Sequence, residues 1–181
     1  MKEGRCGALT TDNIKKAINI ATELNSQKLF IPLLDGFKMK SKFPNGFLAT
    51  DREIFTERFA TSNVKYDFDN SIINDIKSTI EYGKKHNAII DINNIKYCGT
   101  YNYSFKFKLY LKDIVVNNSF IREIDAYFIN EHNNTFNIIS LSTRPLKIEN
   151  AIFLKDINAN ENNKIINYLI ESMDLIIKNV K

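Results

Sequence analysis

Few of the usual catalytic reagents are present in this chain. His86 and His132 are the only histidines, and Cys6 and Cys98 the only cysteines. A metal held by two histidines and a carboxylate would need the two rings brought together. His86 instead follows Lys84-Lys85 at the end of a helical pattern, where a cation is favoured anyway. His132 sits beside Glu131 in a turn pattern. Cys98-Gly99 has no histidine near it in sequence, there is no Gly-x-Ser-x-Gly elbow, and 6 scattered glycines cannot cradle a phosphate. Two thiols supply neither a disulfide framework nor a four-thiolate zinc site, and Cys98 reads as a small buried hydrophobe. No metal and no cofactor are expected, and no catalytic residue is assigned.

Carboxylates need no local signature, so they are the remaining route to catalysis. Asp51-Arg52-Glu53 with Glu57-Arg58 is the densest charged cluster. It reads first as an exposed edge strand blunted by charge. Asp125, between Ile124 and Ala126 and close to Glu123, is either a partly buried acid or part of a solvated face. A small hydrolase using carboxylates is therefore the alternative to a binding function.

Binding has better candidates. Lys106, Lys108 and Lys112 fall on the polar side of one strand pattern with Tyr110 among them, and Lys38, Lys40 and Lys42 form a second row. Lysines beside an aromatic suit a phosphate backbone or an acidic protein surface. Against this, an exposed sheet face must be polar in any case. The abundance of Ile, Asn, Lys, Tyr and Phe, with no Trp, looks like the product of an AT-rich genome. The same bias accounts for the Asn-x-Ser/Thr triplets at Asn102, Asn117 and Asn133. A net charge of +4 and a pI of about 8.9 are small for a chain devoted to nucleic acid. The expectation is a non-enzymatic binding or adaptor protein that docks a protein partner through its sheet or helix surface. Tyr110 is its exposed anchor, and nucleic acid is the alternative partner.

The elements that must position these residues follow from periodicity. Apolar residues at helical spacing predict helices from Thr10 or Thr11 to Leu24, from Asp69 or Asn70 to a left-handed cap at Gly83, and from Asn160 to the end. The last carries the longest stripe, Ile165, Ile166, Leu169, Ile170, Met173, Ile176, Ile177 and Val180. Between the helices the period is two. Phe37–Phe43, a Pro44-Asn45-Gly46 turn and Phe47 onward predict a hairpin, with one more short strand at Ile54–Phe59. A meander follows: Ala88–Tyr97, a long strand Tyr101–Leu111 with Tyr101, Tyr103, Phe105, Phe107 and Leu109 buried, then Phe120–Ile129 and Phe136–Thr143 around a turn at 131–134.

That order predicts the α+β class: an antiparallel sheet of five to seven strands with flanking helices. At 181 residues the chain has room for one such domain, from residue 10, behind a tail of residues 1–9. The N-terminus lacks a secretory apolar segment, so a cytoplasmic protein is expected as written, and no stretch is long enough to span a bilayer. Cys6-Gly7 near the start leaves a lipoprotein as the alternative if a signal once preceded it. Oligomeric state has no signal in the sequence.

Two segments resemble PsbP-like proteins. Asp35-Gly36-Phe37 through Pro44-Asn45-Gly46-Phe47 is similar to that family's opening hairpin, and Arg122–Thr143 to its late hairpin, where a strand ending Tyr127-Phe128-Ile129 turns through polar residues. The amphipathic helix from Asn160 fits the family's last helix. Phe47 stands where a Trp is usual, and the helix at Thr10–Leu24 is extra. The resemblance implies an antiparallel sheet covered by helices and used for docking, the fold of photosystem extrinsic subunits, bacterial lipoproteins and a nuclear-transport factor.

Overall fold

The computed structural model describes residues 29–51, 55–62, 70–132, 134–144, 146–147 and 164–181. The helix expected at Thr10–Leu24, Cys6, and Arg52 and Glu53 lie outside them.

Eight strands and two helices are described: β1 (Lys38–Phe43), β2 (Gly46–Thr50), β3 (Phe55–Ser62), α1 (Ser71–Lys85), β4 (Ile90–Asn102), β5 (Lys106–Val116), β6 (Ser119–Asn130), β7 (Thr135–Thr143), β8 (Leu146–Lys147) and α2 (Lys164–Lys178). All strand pairs are antiparallel. Seven strands run in the order β1-β2-β3-β7-β6-β5-β4, and the two-residue β8 pairs with β6 beside Ser119 and Phe120. The α+β class and the four-strand meander follow the sequence pattern.

One face forms the core. Phe47 and Ala49 of β2, Phe55 and Phe59 of β3, Phe107, Leu109 and Leu111 of β5, Ile124, Ala126 and Phe128 of β6, and Ile139 and Leu141 of β7 are buried there. The predicted stripe of α2 lies on this face, with Tyr168 stacked on Phe55 at 4.1 Å. The chain end is tied in by two backbone bonds, Phe30 N–H to Lys181 O at 2.7 Å and Lys181 N–H to Phe30 O at 3.2 Å. Leu169, Met173, Ile176 and Ile177 are fully enclosed, whereas Ile170 is only partly buried at the margin. Leu169→Ala should therefore cost about 2 to 5 kcal/mol in urea unfolding, and Ile170→Ala clearly less. Equal losses at the two positions would contradict this placement of the helix.

Helix α1 covers part of the opposite face, so neither face is simply solvated. It ends differently from expectation. Gly83 is inside the helix and buried, packed so closely that a Cβ there would meet Ile90 Cδ1 at 2.6 Å. The left-handed residue is Asn87 (φ 57°), after a cap at His86. Gly46 has a similar reason: an added Cβ would stand 2.0 Å from the carbonyl oxygen of Phe59 on the neighbouring strand.

The predicted long strand is divided. Asn102 ends β4, residues 103–105 turn, and β5 begins at Lys106. Strand β5 then continues through Ile114, Val115 and Val116 to a tight turn at Asn117 (φ 55°). The segment from Glu57 to Arg58 is also not an edge. Strand β3 pairs with β2 on one side and β7 on the other, and Glu57 is fully buried on the core face.

Candidate functional site

Register places Lys106, Lys108, Tyr110 and Lys112 on the α1 side of the sheet, opposite the core. Lys112 faces Glu123, Tyr110 faces Asp125, and Lys108 faces Tyr127 across the β5–β6 pair. This face has two regions: a closed polar network beneath α1 and an open corner at the β4 edge.

The network centres on Lys112, which is 1% exposed and so is not part of a wet lysine row. Its Nζ stands 2.5 Å from Asp125 Oδ2, 2.9 Å from Asp75 Oδ2 on α1, and 3.4 Å from Glu123 Oε2. The Tyr127 hydroxyl donates to Asp75 Oδ2 at 2.8 Å and lies 3.2 Å from Asp125 Oδ2. Arg58 Nη2 donates to Ser140 Oγ at 3.3 Å from the neighbouring strand.

The two acids of β6 titrate apart. Burial, reinforced by the Asp125 charge, pushes Glu123 up to about 8. Burial acts in the same direction on Asp125 and is the largest single influence, but the Lys112 charge together with hydrogen bonds from Glu123, Lys112 and Ser140 outweighs it and holds that carboxyl below the usual range. Burial pulls Lys112 down, and Asp125, Glu123 and Asp75 together more than reverse that. Near neutral pH the network thus sets Lys112 and Arg58 against ionised Asp125, with Glu123 neutral. Burial followed by the Asp125 and Asp75 charges keeps Tyr127 a phenol, well above its ordinary pKa.

Converging acids with shifted pKa values are a frequent mark of catalysis. Here Lys112 occupies the point where they converge. A hollow of about 170 Å³ reaches Asp75 beside Ser78, Ser62 and Thr61, but not Glu123 or Asp125. Among the described residues no group of three His, Cys, Asp or Glu is placed to hold a metal. His86 stacks on Tyr82 at 4.1 Å at the end of α1, near where Ile90 pairs with Val116. His132 lies at the other end of the meander, in the β6–β7 turn beside Lys106. The two histidines do not meet.

A second buried pair sits on the core side, where Arg122 Nε donates to Asp113 Oδ1 at 3.1 Å and Asn94 Nδ2 to Asp113 Oδ2 at 3.0 Å. Asp51 of the predicted charged cluster is a structural acid. Its Oδ1 accepts the Phe55 N–H at 2.9 Å, and its carbonyl accepts Arg144 Nη2 at 2.6 Å. Cys98 is half-buried against the core, and burial pushes its thiol pKa up.

The open corner carries what remains of the predicted binding row. Lys106 is exposed and Lys108 half-buried. Tyr110 is half-buried rather than an exposed anchor: its ring lies between Tyr97 at 5.3 Å and Tyr127 at 5.9 Å. The most exposed aromatic of this corner is Tyr97 on edge strand β4, 51% accessible, with Ile95 beside it at 45%. The Tyr97 hydroxyl is hydrogen-bonded to Thr100 Oγ1. Alternation alone assigns Tyr97 to the meander but not to an edge, since edge position depends on the pairing order.

The corner continues into a hollow of about 450 Å³ between the β4–β5 and β6–β7 turns. The second lysine row is broken. Lys38 pairs with Thr50 and Lys42 with Phe47, three residues away on β2, so a bulge between Met39 and Ser41 sends these lysines to opposite faces. Lys38, Lys40 and Lys42 are exposed, and they blunt the outer edge of the sheet.

No protein-family model matches the chain, and no curated protein matches its sequence. The fold has a solved counterpart. The crystal structure of the Saccharomyces cerevisiae Ran-binding protein Mog1p superposes with a TM-score of 0.55 over 92% of this chain and 96% of that one, at 10% identity. At that identity the likeness shows the fold alone: this chain has the architecture seen in Mog1p.

Proposed function

We propose that the chain is a non-enzymatic docking protein whose protein partner seats on the Tyr97 corner. The observation carrying this reading is an aromatic ring at a sheet edge, 51% exposed and backed by Tyr110, with Lys108 and Lys106 further along the same face of β5. A rigid aromatic inside a polar rim is the usual form of a binding hot spot. Mog1p is itself a Ran-binding protein, so at least one protein of this architecture binds a protein. Fold does not transmit the partner, and none is named by analogy. The PsbP-like relationship belongs to the same proposal, since it rests on the opening hairpin, the late hairpin and the closing helix, and it too implies docking.

The carboxylate-hydrolase alternative is weakened by Lys112, which fills the space between the acids. Nucleic-acid binding is weakened by the loss of Lys112 from one row and the splitting of the other. In a partner-binding assay Tyr97→Ala should lower affinity about 10- to 30-fold with little change in melting temperature, whereas Lys38→Ala with Lys40→Ala should stay within about twofold. Unchanged binding by Tyr97→Ala would overturn the assignment of the corner. Steep loss of affinity with salt, flattened by Lys106→Ala and Lys108→Ala, would favour nucleic acid.

A further inference from the structure

The 450 Å³ hollow beside this corner has mixed walls. Phe105 and Ile129 supply apolar surface, and Phe105 is held by ring contacts with Phe128 at 5.1 Å and Phe107 at 6.3 Å. Lys106 and His132 bring nitrogen donors, while Ser104 and Glu131 bring acceptors. The backbone N–H of His132 donates to Asn130 Oδ1 at 3.2 Å.

Topology restricts how a chain could be held here. The hollow opens at the ends of β5 and β6, and each of these strands already pairs on both sides. An extended segment therefore finds no free ladder to join, and recognition must come from side chains. An apolar surface next to an ammonium and an imidazole suits one structure well: an apolar side chain with a carboxylate on the same residue. The Lys106 ammonium and an imidazole N–H of His132 favour the carboxylate, and the acceptors at Ser104 and Glu131 suit the amide N–H of that residue.

Resting on the protein-docking reading above, we infer that the hollow receives the C-terminal residue of a partner chain. Its side chain lies against Phe105 and Ile129, and its terminal carboxylate meets Lys106 and His132.

The test uses the full chain, isotope-labelled, titrated with N-acetylphenylalanine as a mimic of such an end. Saturable shifts should map to Phe105, Lys106, Ile129 and His132. N-acetylphenylalaninamide, which lacks the carboxylate, should bind at least about tenfold more weakly, and Lys106→Gln should weaken the acid by a similar factor. Acetyl-Asp-Phe-amide places a carboxylate on a side chain instead, and it too should bind more weakly. Equal binding by the acid and the amide, equal binding by the Asp-containing peptide, shifts that map elsewhere, or no saturable shift would each overturn the inference. Docking of a whole partner is read separately through the Tyr97→Ala loss, so a failed titration removes the chain-end assignment and leaves the corner standing.

Discussion

Lys112→Met should lose roughly 3 to 5 kcal/mol of stability near pH 8, the cost of leaving buried acids without their cation. The side chain is nearly isosteric, so lost packing contributes little. Its removal leaves Asp125, 0% exposed, with no ammonium at 2.5 Å, and takes from Asp75 the ammonium at 2.9 Å while the Tyr127 hydroxyl remains. The size of the loss should depend on pH. In the variant the folded-state pKa of Asp125 rises above its unfolded value, so folding favours the protonated acid. The deficit is then smallest in acid and grows as pH rises through the acids' folded pKa values. Adding Asp125→Asn to Lys112→Met should restore part of the loss, because the buried charge goes with the carboxylate. Denaturant titrations of both variants from acid to alkaline pH read each effect. A cost below about 1 kcal/mol at pH 8 would mean that water, not Lys112, solvates the acids.

Glu57→Gln should act in the opposite sense and stabilise the protein in alkali. Burial pushes the Glu57 carboxyl up to about 8, against a lowering by the Leu34 N–H that donates to Oε2 at 3.3 Å. Its other oxygen is buried with no hydrogen-bond partner. The folded state holds the proton more tightly than the unfolded chain, so between about pH 4.5 and 8 stability falls as pH rises. Glutamine mimics the neutral acid and removes this dependence. The variant should match the parent within about 1 kcal/mol at pH 4.5 and exceed it by roughly 3 to 5 kcal/mol at pH 9. Glu123, also raised to about 8, leaves part of the alkaline slope in place. Parallel stability–pH curves for parent and variant would show that Glu57 is not enclosed as described.

Strand and helix types were legible because they depend on neighbours in sequence. The α2 stripe, the Pro44-Asn45-Gly46 turn and the meander from Ile90 to Thr143 all show their periods locally. Residues 103–105 concealed a turn for the same reason. Tyr101, Tyr103, Phe105 and Phe107 keep the period of two, and that alternation masks the turn-favouring residues Asn102 and Ser104. Asparagine enrichment was read as codon bias, yet Asn87, Asn94, Asn117 and Asn134 hold φ between 51° and 57°, a region this side chain tolerates better than most.

The site was partly legible. Lys106, Lys108 and Tyr110 do share a face, but the spacing that groups Lys112 with them cannot show that Asp75 closes over it from α1, 37 residues earlier. Tyr97 was missed as the exposed ring. Its position at the sheet edge follows from β3 pairing with β7, a contact that no local pattern encodes.

Docking at the corner is tested most directly by a benzophenone-bearing residue placed at position 97, with a matched probe at exposed Lys84 on α1. Both are irradiated in extract of the source cell. The expected result is a protein adduct at position 97 alone, resistant to nuclease, competed by excess parent chain and not by the Tyr97→Ala variant. Adducts of equal yield at both positions, adducts destroyed by nuclease, or no competable adduct at position 97 would contradict a protein-docking function at this edge.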